Sequence, residues 1–143
     1  MIKVLFCCHG NICRSPMAEY VMKDLVAKAG LSDRFEIASA AVSREEIGNG
    51  VYPPARRELA KHGISCGGHA ARQITRRDLQ HYGYIYYMDA SNARYLARLF
   101  PGEKKTWRPL LSRDVADPWY TGDFTQTWED VVEGCTRILE ELR

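Results

Sequence analysis

No stretch of this chain approaches the roughly 18 consecutive apolar residues that a membrane span requires, and the mean hydropathy is −0.37. Membrane insertion is therefore not expected. Charge of one sign is also lacking: 20 Lys and Arg stand against 18 Asp and Glu, a net +2, with a pI near 8.3. Nucleic-acid grooves usually carry a domain pI above about 9 and clustered cations, so no nucleic-acid partner is expected. There is no low-complexity tract and no internal repeat. Cysteines are few and odd in number: Cys7, Cys8, Cys13, Cys66 and Cys135. A secreted disulfide scaffold is shorter and denser in cysteine, so a reducing compartment, the cytoplasm, is expected. The N-terminus does not read as a signal peptide, because its apolar stretch is short and Lys3 interrupts it.

What is present is the composition of one ordinary globular domain, read as residues 1–143, with 45% hydrophobic and 27% charged residues. Ile2–Cys7 is rich in β-formers and reads as a buried strand. Ser15-Pro16 then opens a helix, Ser as its cap, with Met17, Val21 and Leu25 at four-residue spacing and Gly30 as its stop. Further strands are expected at Phe35–Ser39, Tyr84–Met88 and, weakened by Pro109, Thr106–Leu111. Residues 43–54 read as loop. Helices are expected over Ala55–His62, from a capping pattern at Thr75 to Asp78, over Ser91–Phe100, and through Trp128, Val131, Cys135, Ile138 and Leu142 behind an Asp123 cap. Strands alternating with helices imply an α/β three-layer fold, a parallel sheet flanked by helices on both faces. Such sheets bind ligands at the carboxyl ends of their strands. That directs attention to residues 8–15 and 112–122.

Cys8-His9-Gly10-Asn11-Ile12-Cys13-Arg14-Ser15 joins a strand to a helix N-terminus. A helix start presents unpaired N–H groups and about half a positive charge, and a Gly-containing turn curls further amides inward. The nucleotide-loop pattern GxxxxGK[ST] is absent. In its place stand Cys8 and Arg14: a thiol at the cradle floor and a planar fork for two oxygens of a tetrahedral anion. Cysteines at a helix N-terminus beside a cation have pKa values of about 3.5–7.5, and a thiolate facing phosphorus is an activated nucleophile. Ser15 can add a hydrogen bond to the sulfur. The competing readings are a buried structural cysteine and a zinc set of Cys7, Cys8, His9 and Cys13, which lacks a second ligand pair at metal-site spacing. Cleavage of a phosphate ester also needs an acid for the leaving group and a base for water. Asp117, followed by Pro118, lies in the second loop; Asp114 and Asp123 are its rivals there.

The run from Val4 to Pro16 resembles the signature of the low-molecular-weight protein tyrosine phosphatases, C-x-G-N-x-C-R-S-P. Ser39-Ala40-Ala41, Glu46 to Asn49, His62 to Ile64, His69 to Ile74, Met88-Asp89, Asn92 and Asp117 to Tyr120 look like family landmarks in the same order. The resemblance implies a four-stranded parallel sheet and a metal-independent phosphotyrosine hydrolase that needs no cofactor. It implies Cys8 as nucleophile, with His9, Gly10, Asn11, Ile12, Cys13, Arg14 and Ser15 as phosphate loop. It implies Asp117 as general acid and then base, and Asn11, Ser39 and His69 as a support network behind the loop. Trp119 and Tyr120 would line the substrate cleft, and Cys13 would trap the oxidised nucleophile as a disulfide. Inorganic phosphate and other oxyanions would occupy the same loop. Ile12 matches the tyrosine-phosphatase branch, whereas the arginine-phosphatase branch carries Thr there. Glu45 stands where the family often has a bulky aromatic, which implies an acidic cleft wall that disfavours acidic phosphopeptides. Two alternatives are an arsenate reductase on the same fold, which needs two further neighbouring cysteines, and a non-catalytic phosphoanion-binding module, which needs no acid.

Overall fold

The computed structural model describes residues 1–103 and 107–143. Its central strand, β1 (Ile2–Cys8), sets the layers by the period-two alternation of a strand. Val4, Phe6 and Cys8 enter one core, and Leu5 and Cys7 enter the other. A run buried on both sides is what a parallel sheet covered on both faces demands. β1 pairs in parallel with β2 (Phe35–Ala41) on one edge and β3 (Tyr84–Tyr87) on the other, and β4 (Trp107–Pro109) continues beyond β3. The order β2-β1-β3-β4 sends the chain first to one side of β1 and then to the other. The carboxyl end of β1 is therefore the topological switch point, where a ligand crevice opens.

Helices α1 (Arg14–Lys28), α2 (Pro53–Lys61) and α6 (Phe124–Leu142) cover the first face. Met17, Val21, Met22 and Val26 of α1 meet Val131, Cys135 and Ile138 of α6 there. The second face carries α3 (Arg76–His81) and α4 (Ala90–Leu99), with Leu96 and Phe100 packed on Leu5, Ile85 and Trp107. A single helical turn, α5 (Pro118–Thr121), precedes α6. Among the described residues no helix is long and apolar enough to cross a membrane.

Several element starts differ from the sequence expectation. α1 begins at Arg14, and no side chain caps it, because the Ser15 hydroxyl is engaged behind the loop. α2 begins at Pro53, inside the expected loop: prolines suit a first turn, where the missing N–H is not needed. α4 begins one residue early because Asp89 and Asn92 form a reciprocal capping box. The Thr75–Asp78 box is present as expected. At the Asp123 cap, Gln126 donates its amide while its side chain turns to Asp130. Of the expected strand 106–111, Thr106 lies outside the described residues and pairing ends at Pro109.

Candidate active site

Residues 9–13 link the end of β1 to the start of α1, and they fold around the Cys8 sulfur. The backbone N–H of Asn11 donates to Cys8 Sγ at 3.3 Å, and Ser15 Oγ lies 3.1 Å from the same atom. Asn11 adopts φ 60°, the only described non-glycine residue with positive φ. Asn and Asp enter that left-handed region most readily among side-chain-bearing residues. Here every polar group of Asn11 is also held. Its Nδ2 donates to Ser15 Oγ at 2.8 Å and to Ser39 Oγ at 2.9 Å. Its Oδ1 accepts from the Arg72 amide at 3.2 Å, and its carbonyl accepts from His69 Nε2 at 2.7 Å. Ser39 Oγ in turn donates to Glu19 Oε1 at 2.6 Å, a buried carboxylate that Lys23 also contacts. The expected support residues Asn11, Ser39 and His69 thus meet in one network behind the loop, with Glu19 and Arg72 as members the sequence reading missed.

Arg14 is 2% exposed. Its Nη1 donates to Asp89 Oδ2 at 2.6 Å and to the Val115 carbonyl at 2.8 Å, and its Nη2 reaches Asp117 Oδ2 at 3.3 Å. Burial works against the charge on Arg14, but Cys8, Asp117 and Asp89 more than offset it and hold the guanidinium protonated. Asp117 is fixed by a second oxygen, Oδ1, which accepts the Trp119 amide at 3.0 Å as the cap of α5. Of the rivals, Asp114 accepts the Ala90 amide and Asp123 caps α6. Asp89 was not singled out as a site residue. Its signal was the Asp-x-x-Asn spacing at the start of α4.

Cys8, His9, Gly10, Ile12, Cys13, Arg14 and Asp117 line one cavity of about 120 Å³. Glu45, Trp119 and Tyr120 stand on its wall, and Glu46, which the sequence reading did not name for the cleft, stands beside them. Gly10 sits so close to Glu46 that an added Cβ would lie 3.2 Å from its Cγ. The Tyr52 ring buttresses Trp119 at 4.9 Å. At the rim His9 Nε2 pairs with Glu45 at 2.7 Å, while Ser43 Oγ donates to the His9 carbonyl at 2.8 Å. Burial and the neighbouring Cys8 push the Cys13 thiol up, so it stays protonated at neutral pH. All five cysteines are free. Cys135 is buried in α6, where its thiol reaches the Ala18 carbonyl at 3.5 Å, and Cys66 lies away from this cavity. The further pair of cysteines that an arsenate reductase requires is therefore not assembled here.

A family profile described as low molecular weight phosphotyrosine protein phosphatase matches residues 3–143. The low molecular weight protein-tyrosine-phosphatase YfkJ of Bacillus subtilis is 40% identical over 152 residues, spanning 100% of this chain and 97% of the relative. The crystal structure of YfkJ superposes with a TM-score of 0.95 at 38% identity, covering 99% of this chain and 94% of that one. SP-PTP, the low molecular weight protein tyrosine phosphatase of Streptococcus pyogenes, superposes with a TM-score of 0.93 at 37% identity, covering 100% and 94%.

Proposed function

The chain belongs to the low molecular weight phosphotyrosine protein phosphatase family, and from that premise we propose that residues 1–143 act as one domain hydrolysing protein phosphotyrosine and small aryl phosphates at Cys8. The observation that carries the assignment of roles is the convergence of Cys8, Arg14 and Asp117 on one cavity.

In the first step the Cys8 thiolate attacks phosphorus and the bond from phosphorus to the phenolic oxygen breaks. Asp117 gives its proton to that oxygen, and the group left on the enzyme is a cysteinyl phosphate. In the second step water attacks phosphorus, Asp117 takes a water proton, and the sulfur leaves as thiolate, stabilised by the Ser15 hydroxyl and the Asn11 amide. A guanidinium has five N–H donors. Both Nη1 hydrogens of Arg14 are committed to Asp89 and Val115, and one Nη2 hydrogen to Asp117. The Nε–H and the second Nη2–H remain as a fork for two phosphate oxygens. The other loop amides, those of His9, Gly10, Ile12 and Cys13, serve the rest, and inorganic phosphate or another oxyanion competes for the same donors. The chemistry calls on no cofactor.

Trp119 and Tyr120 clamp the phenyl ring, and Ile12 supports phosphotyrosine over phosphoarginine as substrate. Glu45 makes one wall acidic, which disfavours an acid placed against it. Cys13 is the resolving thiol: where peroxide oxidises the Cys8 thiolate to sulfenic acid, the Cys13 sulfur attacks the Cys8 sulfur, water leaves, and the disulfide that forms blocks irreversible over-oxidation. The five free thiols support residence in a reducing compartment, the cytoplasm. The deciding assay is hydrolysis of para-nitrophenyl phosphate in the presence of a chelator. Cys8→Ser abolishes turnover, Asp117→Ala slows it by at least ~10²-fold, and acid-quenched enzyme carries phosphate on Cys8. Turnover that survives in Cys8→Ser, or that the chelator stops, removes the proposal.

A further inference from the structure

A line of contacts leads away from the cavity mouth over α4. The His9 ring at the rim meets Tyr95 edge-on at 5.3 Å, and the Arg98 guanidinium lies over the Tyr95 ring at 4.7 Å. Arg94 precedes Arg98 by four residues, which places both on one helix face. Both are exposed. Arg72, Arg76, Arg113 and Arg137 each hold a carboxylate, but among the described residues Arg94 and Arg98 do not. α4 itself contains no Asp or Glu. Acids around it are already engaged: Asp89 with Arg14 and Asn92, Asp114 with the Ala90 amide, and Glu45 with His9. Like charges at this spacing weaken a helix; the helix dipole favours Arg98 in the last turn, but Arg94, a turn earlier, has no acid on α4 to offset it. Stacking on Tyr95 meanwhile holds the Arg98 fork in one orientation.

Building on the phosphatase reading above, we propose that the Arg94–Tyr95–Arg98 face of α4 is a docking ledge for an acidic side chain of the substrate protein. An extended chain advances about 3.3 Å per residue. Spacings of 5.3 Å from His9 to Tyr95 and 4.7 Å from Tyr95 to Arg98 put Arg98 within about three extended residues of His9, for a segment that leaves the pocket past that ring. Glu45 sits on His9 at the start of this path and so acts on residues next to the phosphotyrosine, whereas the ledge acts on residues beyond His9.

The test uses phosphotyrosyl peptides in an alanine background, with one Asp placed two to four residues away on either side. Each is compared with the all-alanine peptide by kcat/KM. At low ionic strength Asp at the matching position raises kcat/KM about 2–10-fold, the range for one or two exposed charge contacts. The gain shrinks in ~0.5 M NaCl and vanishes in the double variant Arg94→Gln, Arg98→Gln, while para-nitrophenyl phosphate turnover is the same in both proteins. Arg98→Lys keeps part of the gain, because charge remains and the stacked fork is lost. The inference is overturned if no Asp position gives a gain, or if the double variant keeps it. A native protein inactive on para-nitrophenyl phosphate brings down the phosphatase reading itself, and this inference with it.

Discussion

At the scale of single residues, Asn11 holds the most of the site together. Its backbone sits in the left-handed region, its amide donates to the Cys8 sulfur, and its side chain joins Ser15, Ser39 and the Arg72 amide. Asn11→Ala leaves those partners buried without their bonds, at about 1–3 kcal/mol per unsatisfied group before relaxation, and retains a strained φ. We expect unfolding free energy to fall by about 2–3 kcal/mol and kcat to fall about 10–100-fold, since small displacements of a nucleophile cost that much. Asn11→Gly separates the two effects. It relieves φ and recovers part of the stability, but kcat stays low. Urea denaturation and para-nitrophenyl phosphate kinetics on both variants check this. Cys8 and Arg14 were legible in the sequence because their chemistry depends on spacing within one short loop. The φ of Asn11 was not, because a Gly-Asn turn is compatible with several conformations until distant partners select one.

At the scale of elements, the start of α4 does two things with one carboxylate. Asp89 Oδ1 caps the helix through the Asn92 amide at 2.8 Å, and Oδ2 anchors Arg14. Asp89→Asn keeps an oxygen for the cap but loses the anion beside Arg14. The expected outcome is inhibition by inorganic phosphate weakened about tenfold, with destabilisation of about 1–2 kcal/mol, because Asp117 and Val115 still hold the guanidinium. Competitive inhibition measurements and thermal melts decide it; unchanged phosphate affinity would leave Asp89 a cap and nothing more. Long periodic helices such as α6 were readable because their apolar stripe, Trp128 to Leu142, repeats over about four turns. The short elements were not. A single turn such as α5 has no period to read, and the prolines at 53 and 54 look like loop until one sees that a first turn does not need their N–H groups. The link from Asp89 to Arg14 joins residues 75 positions apart, which no local pattern encodes.

At the scale of the whole molecule, alternation of strands and helices announced a parallel sheet but not its order, because order is fixed by which edge each crossover packs against. That order puts the loop after β1 at the switch point, and the segment 71–74 then closes behind it alongside the end of β2. Ala41 donates to the Arg72 carbonyl at 2.7 Å, and Ile74 donates to Ala41 at 2.8 Å. Arg72 is pinned in turn by Asp78, whose oxygens take the guanidinium at 2.9 and 3.0 Å and the Thr75 amide at 2.7 Å. Burial pushes the Asp78 carboxyl up, but the Arg72 fork and the Thr75 amide prevail and hold it below the usual carboxylate range. A depressed folded pKa means that the unfolded chain binds the proton more readily. The contribution is therefore present above the ordinary value of about 3.9, and it is lost as pH falls through the folded one. Asp78→Asn removes it at the outset. At pH 7 the variant should be less stable by about 1–3 kcal/mol, towards the lower end because Arg72 is part-exposed. Between about pH 4 and pH 2 its stability should decline less steeply than that of the native protein. Urea midpoints at both ends of that range measure the difference. Glu58, which burial pushes up but His62 and Lys61 hold low, titrates in the same direction, as do Glu36 beside His81 and Glu133 beside Arg113, and together they contribute to the slope that remains. If the Asp78→Asn slope matches the native one, acid sensitivity belongs to Glu58, Glu36 and Glu133, and the brace behind the phosphate loop contributes structure without pH dependence.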